Sequence, residues 1–170
     1  MPLRLRPYET RDEVAAVALH EAMLGEGFHF LLGFEPGMPW PAFLSSIEDQ
    51  RRGLNLPPHY VRGTQLVADV DGEIVGRASL RFELNDFLAE RGGHIGYGVA
   101  RAHRRKGYAT EILRQALIVI RAEGVDAVLV TCEKDNVGSF RAIEHNGGVL
   151  ESFASAWEGD PIELRRYWIV

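Results

Sequence analysis

Apolar and polar positions alternate with period two from Leu3 to Pro7 and then adopt helical spacing from Arg11 to about Leu24. The pattern predicts a strand followed by a helix, with Thr10-Arg11-Asp12-Glu13 as the capping box that opens the helix. Thr64 to Val70 and Glu73 to Leu80 read as strands joined through Asp71-Gly72, a dipeptide that favours a two-residue hairpin, so they are expected to pair antiparallel. His94 to Ala100 reads as a further strand, and Gly96 and Gly98 within it suggest a bulge or a close backbone approach by a ligand. Between Thr110 and Ala122, residues Ile112, Leu113, Ala116, Leu117 and Ile120 share one stripe, with Glu111, Arg114, Gln115 and Arg121 off it. That is an amphipathic helix, ended by Gly124.

Ala127 to Thr131 is nearly all apolar, as a central strand buried on both faces would be. Val137 to His145 predicts a helix stopped by Asn146-Gly147-Gly148, and Val149 to Trp157 with Glu163 to Ile169 predicts a closing hairpin around Gly159-Asp160-Pro161. Gly25 to Gly63 is irregular and carries Pro36, Pro39, Pro41, Pro57 and Pro58, although Pro41 to Arg52 fits a helix with proline in its first turn. The order of elements is that of an α/β (α+β) chain, expected to form a single domain over residues 1–170.

An apolar fraction of 46% with 25% charged residues is ordinary for a globular domain of 170 residues. No window is long and apolar enough for a membrane helix. Cys132 is the only cysteine, which rules out an intrachain disulfide, and Met1-Pro2-Leu3-Arg4 lacks the apolar core of a signal peptide, so the expected location is cytoplasmic. The net charge of -5 argues against a nucleic-acid partner and makes the cluster Arg101, Arg104, Arg105, Lys106 a local feature. That cluster lies between a strand and a helix start, where unpaired amides and the helix dipole favour an anion. Other phosphate and catalytic patterns fail. Gly96-x-Gly98 lies inside a strand and lacks the third glycine of a dinucleotide loop, no Gly-x4-Gly-Lys-Ser/Thr occurs, Gly138-Ser139 is not within Gly-x-Ser-x-Gly, and none of the six histidines forms His-Glu-x-x-His. No metal is expected.

The run Arg104-Arg105-Lys106-Gly107-Tyr108-Ala109, with its strand before and helix after, resembles the Arg/Gln-x-x-Gly-x-Gly/Ala motif of the GNAT superfamily of acyl-CoA-dependent N-acetyltransferases. The resemblance continues through Asn136, Ser139, Glu144 and Gly147, covers about Thr64 to Glu151 well, and reaches the residues before Thr64 only in outline. The longer string from Gly92-Gly93-His94-Ile95-Gly96-Tyr97-Gly98 to Asn146-Gly147-Gly148 is similar to a bacterial subgroup of predicted acetyltransferases. The resemblance implies a mixed, twisted sheet of about seven strands with about four helices and a V-shaped opening between the central strands.

It also implies acetyl-CoA as cosubstrate and transfer of its acetyl group to a primary amine of a small molecule, peptide or protein. The pyrophosphate would rest on Arg104, Arg105, Lys106, Gly107, Tyr108, Ala109 and Thr110, and the pantetheine arm on the backbone of Tyr97, Gly98 and Val99. Asn136 and Ser139 would add cofactor contacts, although Asn136 is equally a helix cap. Family members commonly place an acid, tyrosine, seven residues after the Asn; here that position is Ile143. For a base, His94 falls within one residue of a place where some members carry a carboxylate, and Glu83 is a second candidate, their plain readings being a hydrogen-bonded histidine at a strand start and a solvated carboxylate. Cys132 reads as a buried small hydrophobe. The acceptor would sit against Gly25 to Gly63, where Phe28, His29, Phe30, Phe34, Trp40 and Phe43 make the chain aromatic, and against the closing hairpin. A homodimer is left open, and the missing tyrosine keeps a noncatalytic acyl-CoA-binding or regulatory domain as the alternative.

Overall fold

The chain is described from a computed structural model that covers residues 2–155 and 159–170. Its strands are β1 (Arg4–Arg6), β2 (Gly63–Val70), β3 (Glu73–Arg81), β4 (Ile95–Val99), β5 (Val128–Glu133), β6 (Val149–Ser155) and β7 (Glu163–Ile169). The helices are α1 (Glu13–Leu24), α2 (Trp40–Arg52), α3 (Tyr108–Ala122) and α4 (Val137–His145). The seven strands do not form one continuous ladder: β1-β2-β3-β4 make one antiparallel sheet and β5-β7-β6 another. The expected end of β6 at Trp157 lies outside the described residues.

Asp71 and Gly72 both take positive φ, 53° and 86°, the geometry of the two-residue hairpin expected between β2 and β3. Helix α3 buries the stripe Ile112, Leu113, Ala116, Leu117 and Ile120 against Ala78, Leu80, Ile95, Val128 and Val130, so one core runs beneath both sheets. Gln115, expected off the stripe, instead turns inward: its side chain accepts from Leu5 N–H at 2.8 Å and donates to Leu3 C=O at 2.8 Å. It thereby finishes the short edge strand β1.

The opening of α1 differs from the expectation. Residues Thr10–Asp12 form a 3-10 turn, the helix proper starts at Glu13, and Asp12 accepts from the Glu9 N–H at 2.7 Å. Asp12 is buried because Arg6 reaches it through two nitrogens while also holding Asp69 on β2. Burial alone would raise the Asp12 carboxyl, but the Arg6 hydrogen bonds outweigh it and hold it below the ordinary range.

A second core lies on the opposite face, where Phe30, Trp40 and Phe43 are fully buried with Tyr8, Val67 and Ile74. Most aromatics of the Gly25–Gly63 stretch are therefore core. The segment leading into α2 is strapped down by polar side chains: His20 Nδ1 accepts from Leu31 N–H, Gln65 bonds both backbone groups of Leu32, and Arg77 donates to the carbonyls of His29 and Phe30. Without these partners the irregular backbone would bury unpaired groups.

Candidate functional site

The two sheets meet at one point and then separate. Gly93 takes a φ of 67°, and a Cβ there would lie 2.6 Å from the Leu129 carbonyl, so only glycine lets the chain pass so close. Next to it, His94 N–H donates to Leu129 C=O at 2.7 Å, and the Leu129 N–H donates back to His94 Nδ1 at 2.9 Å. A histidine side chain thus replaces a backbone acceptor at the junction from which β4 and β5 both start. Beyond it, among the described residues, β4 keeps β3 on one edge and has no strand on the other.

The register decides which β4 groups face the gap. The Arg81 N–H to His94 C=O and Ala100 N–H to Val75 C=O bonds mark the residues paired to β3. By alternation, Ile95, Tyr97 and Val99 turn their backbone groups outward. The resulting cleft, about 600 Å³, runs between β4, the start of α3 and the start of α4. Tyr97, Gly98, Val99, Arg104, Arg105, Gly107, Tyr108, Ala109, Thr110, Asn136 and Ser139 are all on its wall. Of the expected cofactor contacts only Lys106 is not, and it stands exposed on the same turn.

The turn into α3 concentrates donors. Gly107 is the N-cap with a φ of 81°, Arg105 has a φ of 64°, and no side chain caps the helix. The first N–H of this region bonded within the chain is that of Glu111, to Gly107 C=O. Six successive amides, from Arg105 to Thr110, thus have no acceptor among the described residues. The side chain of Arg104 plays a different part: its Nε donates to Val99 C=O at 3.1 Å and its Nη2 to Glu26 at 2.6 Å, which fastens the turn to β4 and to the end of α1. Arg104 holds Glu26 below the usual carboxylate range. In the sequence Glu26 reads as one of the carboxylates of the acceptor side, suited to an amine; its pairing with Arg104 was not legible because the two lie far apart along the chain.

Across the cleft, Asn136 is the N-cap of α4, accepting from Ser139 N–H at 3.1 Å. Tyr97 spans the gap to the same turn: its hydroxyl donates to Ser139 C=O at 3.1 Å and lies 2.7 Å from Ser139 Oγ. Burial pushes this phenol well above its ordinary pKa, so it stays protonated. Ile143 is fully buried in the main core.

Neither candidate base is on the cleft wall. His94 is buried, its Nδ1 lone pair is taken by Leu129, and its proton therefore sits on Nε2. Burial, and then the charge of Arg81, push its pKa down to about 4. Glu83 is exposed beyond the end of β3. Cys132 is buried at the end of β5, where burial raises its pKa and suppresses the thiolate. Among the described residues no group of three His, Cys, Asp or Glu side chains is placed to hold a metal ion, and no described helix is long and apolar enough to cross a membrane.

The family model for the acetyltransferase (GNAT) family matches residues 34–147, which contain β4, the turn, α3 and α4. The chain belongs to the GNAT acetyltransferase family. Within this GNAT chain the matched span holds nearly the whole cleft, and only Met23 and the Glu26–Phe28 corner are contributed from outside it. Among curated proteins it is 35% identical over 57 residues to the uncharacterized N-acetyltransferase YjdG of Bacillus subtilis strain 168, a match spanning 33% of this chain and 34% of that protein. Among solved structures it is similar to Mycobacterium smegmatis RimJ in complex with CoA-disulfide, with a TM-score of 0.72 and 22% identity over 98% of this chain and 81% of that one. It is also similar to yncA from Salmonella typhimurium with acetyl-CoA, with a TM-score of 0.64 and 18% identity over 98% and 92% of the two chains. At these identities the solved structures establish the GNAT fold, with its opening between β4 and β5.

Proposed function

We propose that this GNAT chain is an N-acetyltransferase that moves an acetyl group from acetyl-CoA directly to a primary amine. The observation that carries the reading is the row of six unpaired amides from Arg105 to Thr110 at the mouth of the β4–β5 gap. Such a row, reinforced by the α3 dipole and the exposed Arg105 and Lys106, suits a pyrophosphate, and the outward edge of β4 suits an extended amide chain. Family membership and likeness to structures solved with CoA-disulfide and with acetyl-CoA support the same donor.

The donor supplies an activated thioester. In the transfer, the amine nitrogen bonds to the acetyl carbon, the carbon–sulfur bond breaks with its electron pair going to sulfur, and the proton lost by the amine balances the one gained by the thiolate. The chain's part is to align the reactants and to present β4 N–H groups to the carbonyl oxygen as negative charge grows on it. No step is assigned to His94 or Glu83. Proton transfer runs through water in the open cleft, and with Ile143 in the core no tyrosine from α4 takes part.

Acetyl-CoA is expected to raise the melting temperature in proportion to the logarithm of its concentration. Gly107→Val should weaken binding by about 100-fold, because a β-branched residue resists positive φ and its side chain would stand over the amides. Thiol release with a broad panel of amines then measures transfer. Stabilisation by acetyl-CoA with no acceptor-dependent thiol release from any amine would leave a noncatalytic acyl-CoA-binding domain; no stabilisation at saturating ligand would sink the donor assignment itself.

A further inference from the structure

On the face of β4 turned away from α3, two arginines converge with no counter-ion among the described residues. Arg77 and Arg81 sit four residues apart on β3 and lean over Gly96. A Cβ built on Gly96 would lie 3.5 Å from Arg81 Nη1 and 3.7 Å from Arg77 Nη1, so the two guanidinium groups border one small space. Arg77 is buried, at 4% exposure. Its Nε and Nη2 are used by the carbonyls of Phe30 and His29, and its Nη1 has no partner among the described residues. Arg81 is half-buried and, among the described residues, reaches only Gly92 C=O, at 3.4 Å through Nη1, with no partner for Nε or Nη2. Among the described residues no carboxylate oxygen lies within 4 Å of either group.

A buried and a half-buried like charge side by side with no anion between them are unfavourable, and each disfavours the other's charged form. Burial in fact lowers both pKa values, Arg77 to about 10, yet both remain charged at neutral pH. The missing component is an anion, and forked N–H donors match a carboxylate. The pair also adjoins the cleft: the Arg77 guanidinium lies 4.4 Å from the centre of the Phe28 ring, and Phe28 closes over Gly98, which is on the cleft wall.

We infer that the acceptor of this enzyme is an amine that also bears a carboxylate, and that Arg77 and Arg81 bind that carboxylate over Gly96. This rests on the acetyltransferase reading above and narrows it to a substrate class. Arg77, already fixed by the loop carbonyls, supplies the rigid half of the site, and the less buried Arg81 supplies the half through which the ligand enters. Both act as specificity-determining residues.

The test uses acetyl-CoA-dependent thiol release with paired acceptors: the common α-amino acids, β-alanine and γ-aminobutyrate, each beside its carboxamide, and short peptide amides beginning with Asp or Glu beside the same peptides beginning with Asn or Gln. The first set presents the carboxylate of a free amino acid and the second that of an acidic side chain. In one set or the other, kcat/KM is expected to favour the carboxylate member by about tenfold or more. In Arg81→Gln that preference should fall to about threefold or less, with Arg81→Lys between. Equal rates for acids and amides, or turnover of neutral amines alone, would overturn the inference. So would thiol release with no carboxylate-bearing acceptor, and in each of these cases stabilisation by acetyl-CoA would leave the donor assignment standing. A protein that acetyl-CoA fails to stabilise loses both.

Discussion

Two groups of cations flank β4, and they are held by opposite means. Arg105 and Lys106 stand in water beside a helix start, with no carboxylate partner among the described residues, and the backbone around them is the part left unpaired. Arg77 is sunk against the sheet and Arg81 half-buried beside it; Arg77 gives its Nε and Nη2 to loop carbonyls, and among the described residues neither side chain has an anion. The first group keeps its hydration and acts at long range, weakly and in a salt-dependent way. The second has already lost hydration, so any anion that reaches it is bound strongly and by shape. A site for a charged donor and a site that distinguishes acceptors thus share one strand without sharing a mechanism.

The sharpest way to break this comparison is to remove a member of the buried group. Arg77→Met keeps length and apolar contact but leaves the carbonyls of His29 and Phe30 without their donor. The variant should lose about 2–4 kcal/mol of unfolding free energy in denaturant titrations. A stability equal to or above that of the parent would show that Arg77 is there for a ligand alone and not also as a strap for the loop.

A second test sharpens the buried side through His94, whose charged form would add a third cation beside Arg81. Its pKa is about 4 in the folded chain, against about 6.5 unfolded. Between these values the unfolded state binds the proton and the folded state does not, so stability falls as pH drops from about 6.5 to 4 and is complete above that window. The loss amounts to about 2–3 kcal/mol. His94→Asn places an amide oxygen where Nδ1 accepts from Leu129, keeping the junction and removing the titration. The carboxylates held low by Arg6 are common to both proteins and cancel in the difference. The stability curves should diverge across that window; parallel curves would mean that His94 is not held neutral at the junction.

The same contrast explains what was legible in the sequence. The donor turn is contiguous: Arg104 to Thr110 carries its cations, its glycine and its helix start within a few residues, so the motif could be read and the cleft wall contains nearly all of it. The amphipathic stripe of α3 was equally plain, since period and burial coincide. Arg77 and Arg81 looked like ordinary polar positions of a half-buried strand, because nothing local says that Phe28, His29 and Phe30 cover Arg77 or that Gly96 lies beside both. His94 was noticed for its chemistry, but its partner depends on how close two sheets approach, which Gly93 permits and no periodicity reveals. The Gly25–Gly63 aromatics were visible as a cluster, yet only Phe28 meets the cleft, because burial of Phe30, Trp40 and Phe43 follows from the packing of α1 and α2.

The smallest effect belongs to the exposed group and distinguishes the two most directly. Lys106 is exposed, touches no carboxylate among the described residues and is absent from the cleft wall, so Lys106→Ala should change the stability of the free protein by less than about 0.5 kcal/mol. It should still weaken acetyl-CoA binding roughly threefold at low ionic strength, through the loss of one unit of positive potential near the unpaired amides. Because that interaction crosses water, the deficit should shrink toward nothing at about 0.5 M salt, where the screening length is shorter than the reach of the side chain. The preference for a carboxylate set by Arg77 and Arg81 acts at contact and out of water, and should change little over the same range of salt. Titrations of both quantities in one salt series would separate the two groups: a Lys106 deficit that persists at high salt would place its ammonium in direct contact with the donor, and a carboxylate preference that vanishes would move the arginine pair to the solvated side of the comparison.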